Sequence, residues 1–81
     1  MENLEYLQHM ESWMKNSADE WIAQHPYSLW HLLQNLEYVI SLLNEMRDTP
    51  GNDADYVQEV LNLVEEKYNT VCDIYEQMPK K

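Results

Sequence analysis

Apolar side chains recur every three or four residues along almost the whole chain, and strict apolar/polar alternation appears nowhere. That spacing is the signature of helices with one greasy stripe. Two breaks interrupt it: His25-Pro26, and the turn-rich run Asp48-Thr49-Pro50-Gly51-Asn52-Asp53. Three helical segments are therefore expected, at about 2–24, 27–47 and 53–78. In the first, Leu4, Tyr6, Leu7, Met10, Trp13, Met14, Ala18, Trp21 and Ile22 share one half of the circumference. The phase survives Asn16-Ser17, which favours one continuous helix. The competing reading is a break there, because Ser17-Ala18-Asp19-Glu20 has the form of a capping box.

The second segment has the cleanest stripe: Leu29, Leu32, Leu33, Leu36, Val39, Ile40, Leu43 and Met46. Pro26 can occupy its first turn, or Ser28 can cap it. The third carries Val57, Val60, Leu61, Val64, Tyr68, Val71, Cys72, Tyr75 and Met78, with Asn52 or Asp53 as cap. Pro79 should end it, with Lys80 and Lys81 near the negative end of its dipole. Helices of this length span roughly 30–38 Å, and short connections make such rods antiparallel neighbours. The expected fold is all-α: one helical domain over residues 1–81, either a three-helix antiparallel bundle or a long helical hairpin with an N-terminal helix, with a dimer as an open option.

Composition narrows the function. The chain has 81 residues, 15 Asp and Glu against 5 Lys and Arg, and a net charge of −10. Direct nucleic-acid binding has the wrong electrostatic sign, and an anionic membrane surface is equally disfavoured. No apolar run approaches the ~18 residues of a membrane span, and the first residues carry acid where a secretory signal needs base. A single Cys cannot pair within the chain and fits a reducing cytoplasm; for a phage-encoded protein that is the host cytoplasm. One Gly in the whole chain argues against a glycine-rich phosphate cradle.

Enzymatic constellations are weak. Cys72 lies on the apolar stripe beside Val71 and Ile74, a setting for a packed thiol rather than a nucleophile. His9, His25 and His31 match no metal-ligand spacing and are expected at the surface or as caps. Glu2-Asn3-Leu4-Glu5 and Asp73-Ile74-Tyr75-Glu76 lie at opposite ends of the chain, and the central segment offers only Glu37 and Glu45. The paired acidic motifs of all-helical nucleotide pyrophosphohydrolases of the MazG kind are therefore not matched. No catalytic residue, metal ligand or cofactor is expected.

Two surface features remain. On the third segment Asp55, Glu59, Glu66 and Asp73 fall within about 60° of one another, with few lysines placed to neutralise them. On the second, Tyr27, His31, Gln34 and Tyr38 line up away from the leucine face, with Trp30 on yet another side. Either the first segment covers these aromatics or another molecule does. In length, acidity and lack of catalytic motifs the chain resembles the anti-restriction and anti-CRISPR inhibitors of phages and mobile elements. The resemblance implies a non-enzymatic inhibitor or adaptor docked on a basic, nucleic-acid-handling surface of another protein. Asp55, Glu59, Glu66 and Asp73 would supply charge, and Tyr27, Trp30 and Tyr38 apolar anchors. Duplex DNA carries one charge per ~1.7 Å, so a rod of ~35 Å would need about 20 to copy it. Fifteen acids can copy the phosphate track only in part, or wholly as a dimer. The alternative is a homo-oligomeric helical module whose acids serve only solubility.

Overall fold

A computed structural model describes residues 2–78, with side chains from Leu4 onward. Its described residues form four α-helices and no strand: α1 (Glu2–Asn16), α2 (Ala18–Gln24), α3 (Leu29–Asp48) and α4 (Ala54–Gln77). A single 3-10 turn, Pro26–Ser28, leads into α3. None of these helices is long and apolar enough to cross a membrane. Pro79, Lys80 and Lys81, expected at the end of α4, lie outside the described residues.

The first segment is divided where continuity was expected. Ser17 leaves the helical region at φ −122°, yet the hydrogen-bond ladder runs on through it. Its N–H donates to the Trp13 carbonyl and its carbonyl accepts from the Trp21 N–H, both at 2.9 Å. Its side chain makes no capping bond, so the capping box does not form. The result is a one-residue kink rather than a new helix start. Adjacent Asn and Ser are weak helix formers whose side chains compete for the backbone. Across the kink Met14, Ala18 and Ile22 all remain buried, and the Trp13 and Trp21 rings stay 6.5 Å apart. The periodicity thus continues although the helix does not.

At the first connection, the proline denies His25 a helical conformation. The His25 ring stacks on Trp21 at 4.4 Å, with Nδ1 2.9 Å from the Trp21 carbonyl oxygen. Pro26 then opens the 3-10 turn, so α3 begins at Leu29 rather than 27. At the second connection, Gly51 adopts φ +98°, a left-handed conformation that only glycine takes without cost. Asn52 donates to the Met46 carbonyl at 3.0 Å and closes α3. The Asp53 side chain accepts from the Tyr56 N–H at 3.2 Å and caps α4.

One apolar cluster gathers the stripes. Leu7, Met14 and Ile22 enter from the first segment, Leu29, Leu36 and Leu43 among others from α3, and Val57, Val60, Leu61, Val64 and Val71 from α4. The largest set of contacts joins α3 to α4, and α1 lies mainly against α4. No polar or charged side chain is buried among the described residues, so apolar burial at roughly 1.5–3 kcal/mol per large side chain carries the fold. The stripes outrun the core at their ends: Leu4 and Tyr75 are 46% and 40% exposed, and Cys72 is half-buried at the margin.

Hydrogen bonds at the core margin fix the helices relative to one another. The Tyr56 hydroxyl donates to Glu11 at 3.0 Å, and the Tyr68 hydroxyl donates to Glu37 at 3.2 Å. Lys67 pairs with Asp19 at 2.6 Å, and Arg47 donates to Gln58 at 2.6 Å. Both phenols are held above their ordinary value of 10.0. For Tyr68 the cause is first burial, then the Glu37 carboxylate and Cys72; for Tyr56 it is burial, then Glu11. The folded chain therefore keeps these protons more tightly than the unfolded chain. Their contribution to stability is complete below pH 10.0 and is lost as pH rises through the folded values. The urea midpoint should stay level up to about pH 9 and fall beyond pH 10. Tyr56→Phe with Tyr68→Phe should flatten that fall. An equally steep fall in the double variant would show that these phenols do not govern it.

Candidate functional site

All four carboxylates of the α4 row, Asp55, Glu59, Glu66 and Asp73, are exposed. The reason is geometric. At 100° per residue they lie diametrically opposite Val57, Val64 and Val71, which are fully buried. The row is about 27 Å long at 1.5 Å per residue. With exposed Glu65 and Glu76 beside it, α4 presents roughly one negative charge per 5 Å, against one per ~3.4 Å along a single nucleic-acid strand. That density copies a phosphate track in part only.

The cations among the described residues are committed elsewhere. Lys15 bonds Glu11 at 3.3 Å, Lys67 bonds Asp19, and Arg47 serves Gln58 and Asp48. Among the described residues, none reaches the α4 row. Its charges are therefore unneutralised and open to solvent, suited to steering a positively charged partner.

The aromatic residues occupy a different surface. Tyr27, Trp30 and Tyr38 are 90%, 51% and 68% exposed, so the first segment does not cover them. Trp30 meets the exposed His31 ring edge-on at 5.3 Å. On α3, Trp30 and Tyr38 point away from Leu32, Leu36 and Leu43, as the acids on α4 point away from its valines. The aromatics are carried by the 3-10 turn and α3, the acids by α4. The phase of each helix was readable in the sequence; the angle between two outward faces depends on how helices pair.

The other candidates stay apart. Cys72 sits at the core margin beside Tyr68. His25 ties down the end of α2, and His9 is exposed. Among the described residues no three His, Cys, Asp or Glu side chains gather as a metal site would require. Sequence reasoning missed the Glu11–Tyr56, Glu37–Tyr68 and Asp19–Lys67 contacts, because no periodicity within one helix encodes a pair between helices. What the surface offers is exposed charge and exposed aromatic area. No protein-family model matches the chain, and neither the curated proteins nor the solved structures searched provide a match.

Proposed function

We propose that this chain is a small, acidic, non-enzymatic inhibitor or adaptor that docks on a basic, nucleic-acid-handling surface of another protein through α4. The observation that carries this reading is the row Asp55, Glu59, Glu66 and Asp73: exposed, about 27 Å long, and without a cation partner among the described residues. A row needed for solubility alone has no reason to be kept clear of lysines at i+4. The acids speed encounter and set orientation.

The platform for that row is an up-down-up arrangement of three rods, the kinked first segment counting as one. Two pairs of contacts support it. From Arg47–Gln58 to Glu37–Tyr68, the position falls by ten on α3 and rises by ten on α4, as opposed rods require. From Glu11–Tyr56 to Asp19–Lys67, both positions rise together. The first segment then runs alongside α4 in the same sense.

Affinity capture from a lysate of the source organism, at about 50 mM and about 500 mM salt, tests the reading, because screening shortens the reach of charge from roughly 14 Å to 4 Å. A basic nucleic-acid-handling protein should be retained at low salt and released at high salt. Capture of the same partner at both strengths would exclude charge-led docking.

A further inference from the structure

The side-chain bonds between α3 and α4 lie on one flank of the pair and fix its register. Glu37 stands level with Tyr68, and Arg47 with Gln58. Steps of three or four residues along both helices keep to that flank. They set Trp30 level with Tyr75, Leu33 with Cys72, and Ile40 with Glu65. The first segment lies on the other flank. It reaches α4 at Tyr56 and Lys67, about 100–120° round the helix from Tyr68 in one direction, whereas Cys72 and Glu65 lie about 40–60° round in the other. On α3 it approaches Tyr38, which adds to burial in raising the Tyr6 phenol. Tyr38 is about 100° round from Glu37, on the side away from Ile40. The groove between α3 and α4 is thus left open along about 26 Å, from Trp30 to Arg47. Ile40, Tyr68 and Cys72 are half-buried along it, and Trp30 and Tyr75 are exposed at one end.

We propose that this groove takes an amphipathic helix of the partner protein, with basic side chains on both sides of its apolar stripe. This docking rests on the acidic-binder reading and names the element that the partner brings. Charge selects the occupant. Exposed Glu37 stands on the α3 rim, and exposed Glu65 and Glu76 on the α4 rim. The row of Asp55, Glu59, Glu66 and Asp73 lies beyond them on α4. Glu37 accepts the Tyr68 hydroxyl on one oxygen, and its other oxygen has no partner among the described residues. Arg47, the cation on this flank, is engaged with Gln58 and Asp48. A second copy of the chain would bring a net charge of −10 to these rims and be repelled.

The fit follows helix-in-groove docking, in which a stripe at i, i+3, i+4 and i+7 supplies the anchors. A helix of about 18 residues matches the length of the flank. Its stripe lies on Ile40, Tyr68 and Cys72, and the Trp30 ring packs over one end, where a large aromatic adds most contact area. Lys or Arg beside the stripe reaches Glu37 on one rim and Glu65 on the other. The carboxylates set the sign and orientation of the helix, and the apolar floor holds it.

The full chain and two synthetic helical peptides of about 18 residues test this. Both peptides lack Cys and share one leucine stripe; one carries Lys at the remaining positions, the other Glu. Cys72 is the single thiol and is half-buried on the groove floor, so its alkylation by iodoacetamide reports occupancy. At saturation the Lys peptide should slow that alkylation at least tenfold, and the Glu peptide should leave it unchanged. Ile40→Lys, and independently Tyr75→Lys at the exposed end, should weaken the Lys peptide at least tenfold with helicity retained. Tyr38→Ala, on the other flank, should not. Binding of the Lys peptide that leaves Cys72 fully reactive overturns the groove and leaves the α4 row standing. Equal protection by the two peptides overturns the choice of a basic occupant. Protection that appears without peptide as the chain is concentrated, with the mass rising from 9.8 kDa toward twice that value, assigns the groove to a second copy and overturns it as well.

Discussion

Leu36→Asp is expected to leave the chain unfolded at 25 °C, with neither a cooperative melt nor the helical signal of the parent. Leu36 is 2% exposed, in the middle of α3 and of the single apolar cluster. The substitution removes a buried leucine, worth about 2–5 kcal/mol when cut back even to alanine. It then leaves a carboxylate without a partner in apolar surroundings, a further cost of several kcal/mol. A domain of this size has roughly 4–12 kcal/mol in total. No cation stands near enough to help, because the described Lys and Arg side chains are engaged at the periphery. Circular dichroism during a thermal scan is the measurement. A variant melting at the parental temperature would mean that Leu36 is not at the centre of the core.

Reversing Glu59, Glu66 and Asp73 together to Lys has the opposite profile: a large effect on binding and a small one on folding. All three are exposed on the side of α4 away from the core, and such positions usually change stability by no more than about 0.5 kcal/mol each. Each reversal moves the net charge by two, from −10 to −4 for the three. The four-residue row itself goes from −4 to +2. Electrostatic steering raises association rates by roughly 10–10³-fold, so capture of a basic partner at low salt should fall by at least that factor. The difference should narrow as salt rises. Titration of the captured partner against parent and variant, with melting curves for both, is the check. Equal affinity for the two proteins would remove the α4 row from the binding surface.

How much of this was readable beforehand differs by feature. In α3 the leucine stripe specified the buried side almost residue for residue, since α3 has neighbours along its whole length; only Ile40 is left half-buried. In α4 the same reasoning held for the valines and Leu61, left Tyr68 and Cys72 half-buried, and failed at Tyr75, which carries the right phase and remains exposed. Phase says which side of a helix faces inward; it does not say where the neighbouring rod stops. At Ser17 the residues allowed either a continuous helix or a capped break. The chain took neither in full, keeping the ladder while losing the helical dihedrals.

The surface features divide along the same line. That Asp55, Glu59, Glu66 and Asp73 share one side of a helix follows from a rise and rotation that are the same in every α-helix. All-helical character likewise follows from a period of 3.6 without any knowledge of contacts. Which helices pair, and whether the aromatics are covered, was decided by tertiary packing, in which both α3 and α1 lie against α4. Those outcomes depend on contacts between residues thirty or more positions apart, such as Glu37 with Tyr68 and Glu11 with Tyr56. The energy of such contacts belongs to pairs of helices, and no pattern along a single one can express it.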